Sequence, residues 1–261
     1  MKVRILGCSG SVPRRSNPAS GYVVTADGMS DVVLDLGPGT FAHLMHHADP
    51  SDVHVLFSHL HPDHCLDFPS LLVWRRYHPQ RPSDGRNLCF GPQATFTHLG
   101  RLSADEPDEV DDMSDTFAFA PWVDGQETFV DRLEVTPFRV VHPIETFALR
   151  VRDPKSGHVV AYSGDTAPTP RLVEAARGAD VFLCEATWGY SSEGKPENMH
   201  LSGAEAGAIA QEAGCRKLVL VHIPPWTDPE EALRGARETF DGEIVIGRAG
   251  DVFDLAGSPT P

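Results

Sequence analysis

The chain has 261 residues, with 22 Lys and Arg against 37 Asp and Glu, for a formal net charge of −15. Such a length makes one large domain or two small ones, and 41% hydrophobic with 23% charged residues is an ordinary globular composition. The acid excess disfavours nucleic acid as a partner, because a polyanion is repelled unless a local basic patch intervenes.

No apolar run is long enough to span a membrane. Residues 1–11, MKVRILGCSGS, carry a faint lipoprotein-like Cys8, but the apolar stretch before it is too short for a signal sequence, and a cytoplasmic location is expected. The five cysteines (8, 65, 89, 184 and 215) are odd in number and form no CxxC pair, so reduced, packed thiols are expected rather than disulfides or a zinc ribbon.

In chain order, KVRIL (2–6), SGYVVTA (20–26) and DVVLDLG (31–37) predict strands, the last stopping at a Gly-Pro-Gly turn. A helix is predicted over 40–48. DVHVLFS (52–58) is a buried strand, and residues 66–77 have apolar positions at helical spacing, with Pro69 suited to a first turn. The middle is less regular, and acidic 103–115 reads as an exposed loop. Strands resume at 132–141, 145–153 and 158–166. A helix from Pro170 to about Arg177 precedes the strand DVFLCEA (180–186). Residues 202–214 predict a helix with Ser202 as N-cap, Glu205 three positions on and Gly214 as terminator. A strand over 217–223, a helix over 228–240 and two short strands finish the chain. No internal repeat or linker stands out, so 1–261 is read as a single α/β domain with helices outside two packed sheets.

Residues 58–64, SHLHPDH, directly follow a buried strand. Imidazole nitrogen and carboxylate oxygen are the preferred donors of zinc and its neighbours, so His59 and His61 suit one ion, and Asp63 and His64 a second. A hexapeptide cannot complete two sites, so further donors are required at later strand ends. His142, Asp165 and His222 each follow an apolar strand. Any one of them alone could be a chance polar residue; the set, in this order after this hexapeptide, points to a shared cleft.

On SHLHPDH, VVH, YSGDT and VLVHI the sequence resembles the metallo-β-lactamase superfamily. The resemblance implies a four-layer αβ/βα sandwich, the metallo-β-lactamase fold. It also implies two divalent metal ions, zinc first with manganese or iron also acceptable. One is held by His59, His61, His142 and Asp165. The other is held by Asp63, His64, His222 and the bridging Asp165. Asp35, in VVLDLGPGT, corresponds to an aspartate that supports the metal loop. Pro62 departs from the glycine or alanine commoner at its position.

FLCEATW and MHLSGAEAG resemble the ribonuclease Z and phosphodiesterase branch, in which a glutamate and histidine pair, here Glu185 and His200, serves proton transfer to the leaving oxygen. The plainer alternatives are a glutamate paired with some other base and a histidine at a surface cap. The basic protruding arm typical of ribonuclease Z is not seen. The nearest likeness, over GCSGSVP, NPASGY, HPDHCLDFPSLLVWRRYHPQRPS, YSGDT, VFLCEATW, HLSGAEAG and HIPPWT, is to actinobacterial cyclic-nucleotide phosphodiesterases of this fold.

That likeness implies a homodimer hydrolysing a small cyclic nucleotide, cyclic AMP to 5′-AMP. Asp63 would orient an attacking hydroxide shared by the metals, and His200 would protonate the departing oxygen. A ribonuclease Z-like nuclease, a thioester or lactone hydrolase and a non-catalytic cyclic-nucleotide or metal sensor are the competing readings. Arg14, Arg15, Trp188 and WRRYHP (74–79) are either substrate contacts or ordinary solvated arginines and packed aromatics.

Overall fold

In the computed structural model, which describes residues 1–257, fourteen strands form two sheets. The last four residues of the expected 1–261 domain lie outside the described residues. The first half gives β1 (Lys2–Gly7), β2 (Gly21–Thr25), β3 (Asp31–Leu36), β4 (Val53–Leu56), β5 (Asn87–Gly91) and β6 (Phe117–Pro121). The second gives β7 (Thr128–Val130), β8 (Leu133–Arg139), β9 (Phe147–Arg152), β10 (Val159–Tyr162), β11 (Val181–Glu185), β12 (Lys217–Val221), β13 (Glu243–Ile246) and β14 (Val252–Asp254). One sheet runs β14-β1-β2-β3-β4-β5-β6 and the other β13-β12-β11-β10-β9-β8-β7. Read from β14 in one and from β7 in the other, each carries three antiparallel pairings and then three parallel ones. The halves therefore share a topology that no sequence repeat reveals.

The helices are α1 (Thr40–Leu44), α2 (Pro62–Cys65), α3 (Phe68–Tyr77), α4 (Thr95–Ser103), α5 (Pro170–Ala176), α6 (Gly203–Ala213) and α7 (Pro229–Arg237). Three apolar clusters define four layers. Val3, Tyr22, Leu34, Leu149, Val160 and Val219 meet between the sheets. Leu44, Phe57, Phe68 and Leu99 join the first sheet to its outer helices. Leu172, Ala206, Leu220 and Ala236 do the same for the second. This is the expected αβ/βα sandwich, held by burial of apolar faces on both sides of each sheet.

Several local expectations change. The predicted helix over 66–77 begins earlier, as the short α2, and restarts as α3, because Asp67 N bonds to Leu36 O instead of continuing a helix. The helix predicted over 40–48 stops at Leu44 and ends in turns. The irregular middle contains β5, α4, β6 and β7. Acidic 103–115 is anchored: Met113 is buried, and Arg76 pairs with Asp111 and Asp115. All five cysteines are free and buried. Among the described residues no helix is long and apolar enough to cross a membrane.

Candidate metal centre

The site residues stand beyond the ends of central strands of both sheets. His59 and His61 follow β4, with His61 as N-cap of α2 at φ −65° and ψ 150°. Pro62 sits in the first turn of α2, where a missing N–H leaves no bond unmade, which accounts for the proline. Extended backbone thus delivers two histidines and a helical turn delivers Asp63 and His64. Gly37 is what lets this turn approach, since a Cβ there would lie 1.9 Å from Asp63 O. His142 follows β8, Asp165 follows β10, Glu185 ends β11 and His222 follows β12. His222 and Asp35 both have positive φ, 54° and 55°, an uncommon region for residues with side chains and one that gathers at functional sites.

Two groups of donor atoms converge: His59, His61, His142 and Asp165, and Asp63, His64, Asp165 and His222. Asp165 Oδ2 lies 3.6 Å from His59 Nε2, 4.0 Å from His142 Nε2 and 3.4 Å from His222 Nε2. Its Oδ1 lies 3.3 Å from His64 Nε2. Asp63 Oδ2 is 3.0 Å from His222 Nε2 and 3.6 Å from His64 Nε2, and it accepts a bond from Ser11 N at 2.9 Å.

Four imidazoles are held from behind by Nδ1. His59 Nδ1 is 3.0 Å from Ser58 Oγ, His64 Nδ1 2.8 Å from Asp35 Oδ2, His142 Nδ1 3.2 Å from Met199 O and His222 Nδ1 2.9 Å from Thr187 Oγ1. Fixing Nδ1 aims Nε2 at the centre. Asp35, fully buried, also accepts Ser58 N, Ser58 Oγ and Tyr162 Oη at 2.7, 2.6 and 2.7 Å.

The fit to a cation rests on atoms left over. His59 Nε2, His64 Nε2 and Asp165 Oδ1 are buried without a hydrogen-bond partner. Such groups are costly to bury unless something binds them. Burial alone would neutralise Asp165, yet His222, His64 and His59 keep its carboxyl well below the usual range. Burial likewise works against charge on His64, and Asp165 and Asp63 overcome it, raising its pKa. Burial depresses His59. Buried carboxylates among imidazoles are the nitrogen and oxygen donor set of a divalent transition metal.

Beside this cluster, His200 Nδ1 is 3.0 Å from Glu185 Oε1 and 4.0 Å from Asp165 Oδ2. Burial would lower the His200 pKa, but the Glu185 carboxylate and its hydrogen bond raise it to about 9. Glu185 is fully buried and also accepts Thr166 N at 2.6 Å and Leu201 N at 3.1 Å.

Most of the suggested substrate contacts are occupied otherwise. Arg14 Nη2 donates to Pro224 O and Thr227 O at 2.5 and 3.1 Å. Arg75 is 1% exposed and bonds Thr116, Ser51 and Asn87. Trp188 is 38% exposed, its Nε1 donating to Glu193 O at 3.0 Å, and Arg15 is exposed. Sequence reasoning missed Ser58, Tyr162 and Thr187. All three sit inside the quoted motifs SHLHPDH, YSGDT and FLCEATW, so a signal for them was adjacent.

Residues 30–223 match the model of the beta-lactamase superfamily domain. The uncharacterized protein Rv1339 of Mycobacterium tuberculosis is 50% identical over 255 residues, spanning 98% of this chain and 92% of that one. The crystal structure of the metallo-beta-lactamase fold protein YhfI from Bacillus subtilis is similar with a TM-score of 0.83 at 23% identity, over 97% of this chain and 99% of that one. Human tRNase Z, short form, gives a TM-score of 0.75 at 20% identity, over 98% and 99%. Fold and buried His/Asp clusters together are those of a metal-dependent hydrolase. The chain belongs to the metallo-β-lactamase superfamily.

Proposed function

We propose that the protein is a dinuclear-metal phosphodiesterase that hydrolyses 3′,5′-cyclic nucleotides, cyclic AMP to 5′-AMP. The observation that carries this reading is the Glu185–His200 pair placed beside Asp165, the carboxylate common to both donor groups. His59, His61, His142 and Asp165 would hold one ion; Asp63, His64 and His222, with Asp165, would hold the other. Zinc fits this donor set, as do manganese and iron. When bound, such ions activate water at neutral pH and neutralise charge on phosphoryl oxygens.

The chain's own residues do the rest. Asp63, kept ionised by His64 and His222 against the opposing effect of burial, orients the attacking water and takes its proton. His200 Nδ1 is engaged by Glu185, while Nε2 has no hydrogen bond among the described residues and is free to protonate the leaving oxygen. The net charge of −15 and the acidic 103–115 segment favour a small phosphodiester over a long polyanion. We also propose a homodimer in the cytoplasm. Exposed Val73 and Tyr77 on α3, beside Trp74, support self-association through an apolar face.

A ribonuclease Z-like activity is the second reading, favoured by the likeness to human tRNase Z. Protein loaded with zinc or manganese should be offered cyclic AMP, cyclic GMP, 2′,3′-cyclic nucleotides and precursor tRNA, with its mass measured by light scattering. Hydrolysis of cyclic AMP is the expected result. Cleavage of precursor tRNA with cyclic AMP left intact would replace the first reading by the second.

A further inference from the structure

A cavity of about 480 Å³ lies away from the metal cluster, lined by Cys8, Arg14, Ser16, Asn17, Glu230 and Arg248 among others. Val221 and Ile223 contribute to its wall, whereas His222 between them turns its imidazole to Asp63 and Asp165. Two features of the wall are unexplained by folding alone. Arg14 Nε is buried and has no acceptor. The exposed Arg248 guanidinium makes no hydrogen bond or ion pair among the described residues, although Arg248 N donates to Asp251 Oδ2 at 2.8 Å. An orphaned guanidinium N–H calls for an acceptor.

Two cationic side chains, Arg14 and Arg248, and one carboxylate, Glu230, line the cavity. Asp228 nearby is engaged in capping Glu230 N, and Asp251 takes Arg248 N. A second depression, walled by His43, His46 and His47, shares Ser16 and Ala249 with the first. Guanidinium N–H groups match the oxygens of carboxylate and phosphate, and two guanidinium groups at one cavity suit the doubly charged phosphate. The volume falls in the range of small-molecule sites and takes a body of nucleoside size.

We propose that this cavity is a second ligand site, distinct from the metal centre, for a small phosphate-bearing molecule of nucleoside-monophosphate size, with Arg14 and Arg248 as the phosphate contacts. The site is wired to the metal centre. Arg14 also clasps Pro224 O and Thr227 O, just past His222. His222 N donates to Cys8 O at 2.9 Å and Gly10 N to Ile223 O at 3.3 Å. Three residues before Arg14, Ser11 N donates to Asp63 Oδ2. Occupancy therefore fixes the two loops that position His222 and Asp63, so the ligand regulates the centre from outside it.

The test is calorimetric titration of the metal-loaded full chain with 5′-AMP and, separately, inorganic phosphate. A binding component is expected that Arg248→Ala weakens about tenfold, the loss of a charge-assisted hydrogen bond, and Glu230→Gln strengthens by removing a facing negative charge. Basal turnover without added ligand should be unchanged in both variants, since neither residue touches the reacting groups. Tighter binding of 5′-AMP than phosphate assigns a nucleotide ligand, and equal binding assigns phosphate itself; both support the site. Binding that is absent, or indifferent to both substitutions, overturns it. Because binding is read directly, failure here leaves the proposed reaction standing, and failure of that reaction leaves this site standing.

Discussion

Glu185 Oε1 lies 3.0 Å from His200 Nδ1, and both side chains are largely or wholly buried next to Asp165. This pairing raises the His200 pKa to about 9. A raised histidine stays protonated through neutral pH and loses its proton as pH climbs through the raised value. A general acid of this kind works at neutrality and fails on the alkaline side. Bound cations would repel the imidazolium and draw that limb lower. His200→Ala should retain its metals by atomic absorption, lose about 10²–10⁴-fold in turnover, and show no alkaline limb. Unchanged turnover in this variant would remove His200 from the chemistry.

Lys195 supports the same histidine from outside the cluster. Its buried ammonium donates to His200 O at 2.7 Å and to Glu205 Oε1 and Oε2 at 2.8 and 2.6 Å. Glu205 meanwhile accepts Ser202 N at 2.8 Å, closing the capping box of α6. Lys195→Met should lower kcat roughly 10–100-fold by misplacing His200, with KM and metal content little changed. Lys195→Arg should recover part of the loss. A variant that loses stability but keeps kcat would mean that the lysine serves only the fold.

Asp35 gathers Ser58, His64 and Tyr162 at one carboxylate. Removing such a partner typically costs about 10–100-fold in metal affinity. Asp35→Asn should fall in that range, and Tyr162→Phe, which removes one of several donors, should fall below it. Competition against a chelating indicator measures both. Affinity untouched in Asp35→Asn would show that the metal loop holds its shape without this carboxylate.

Chelation should destabilise the protein, because His59 Nε2, His64 Nε2 and Asp165 Oδ1 are buried without a hydrogen-bond partner and the donors would be left facing one another. A ligand at 1,000 times its Kd contributes about 4 kcal/mol. For a chain of this size that is on the order of a 10 °C shift in Tm. Calorimetric melts with and without a chelator read it directly, and coincident melts would count against a buried metal centre.

Much of this centre is legible from residue order. The buried strand before SHLHPDH and the apolar strands before His142, Asp165 and His222 mark where donors emerge. Ser202, Glu205 and Gly214 mark the ends of α6 because capping is a local interaction. The strands β5, β6 and β7 escaped notice for an equally physical reason. β6 is an edge strand ending at Pro121, β7 has only three residues, and β5 carries Asn and Gly at its ends, so pairing rather than propensity makes them strands.

The sequence by itself determined the donor types, their order, and the local turns that expose them, since those depend on neighbours a few positions away. Packing of the two sheets decided the rest. It brings Asp63 within 3.0 Å of His222, 159 positions later, and makes Asp165 common to both donor groups. It also commits Arg14 Nη2 and Arg75 to backbone carbonyls rather than to substrate at the metal centre. Contacts over such separations have no local signature, because they exist only once burial has fixed the sheets face to face.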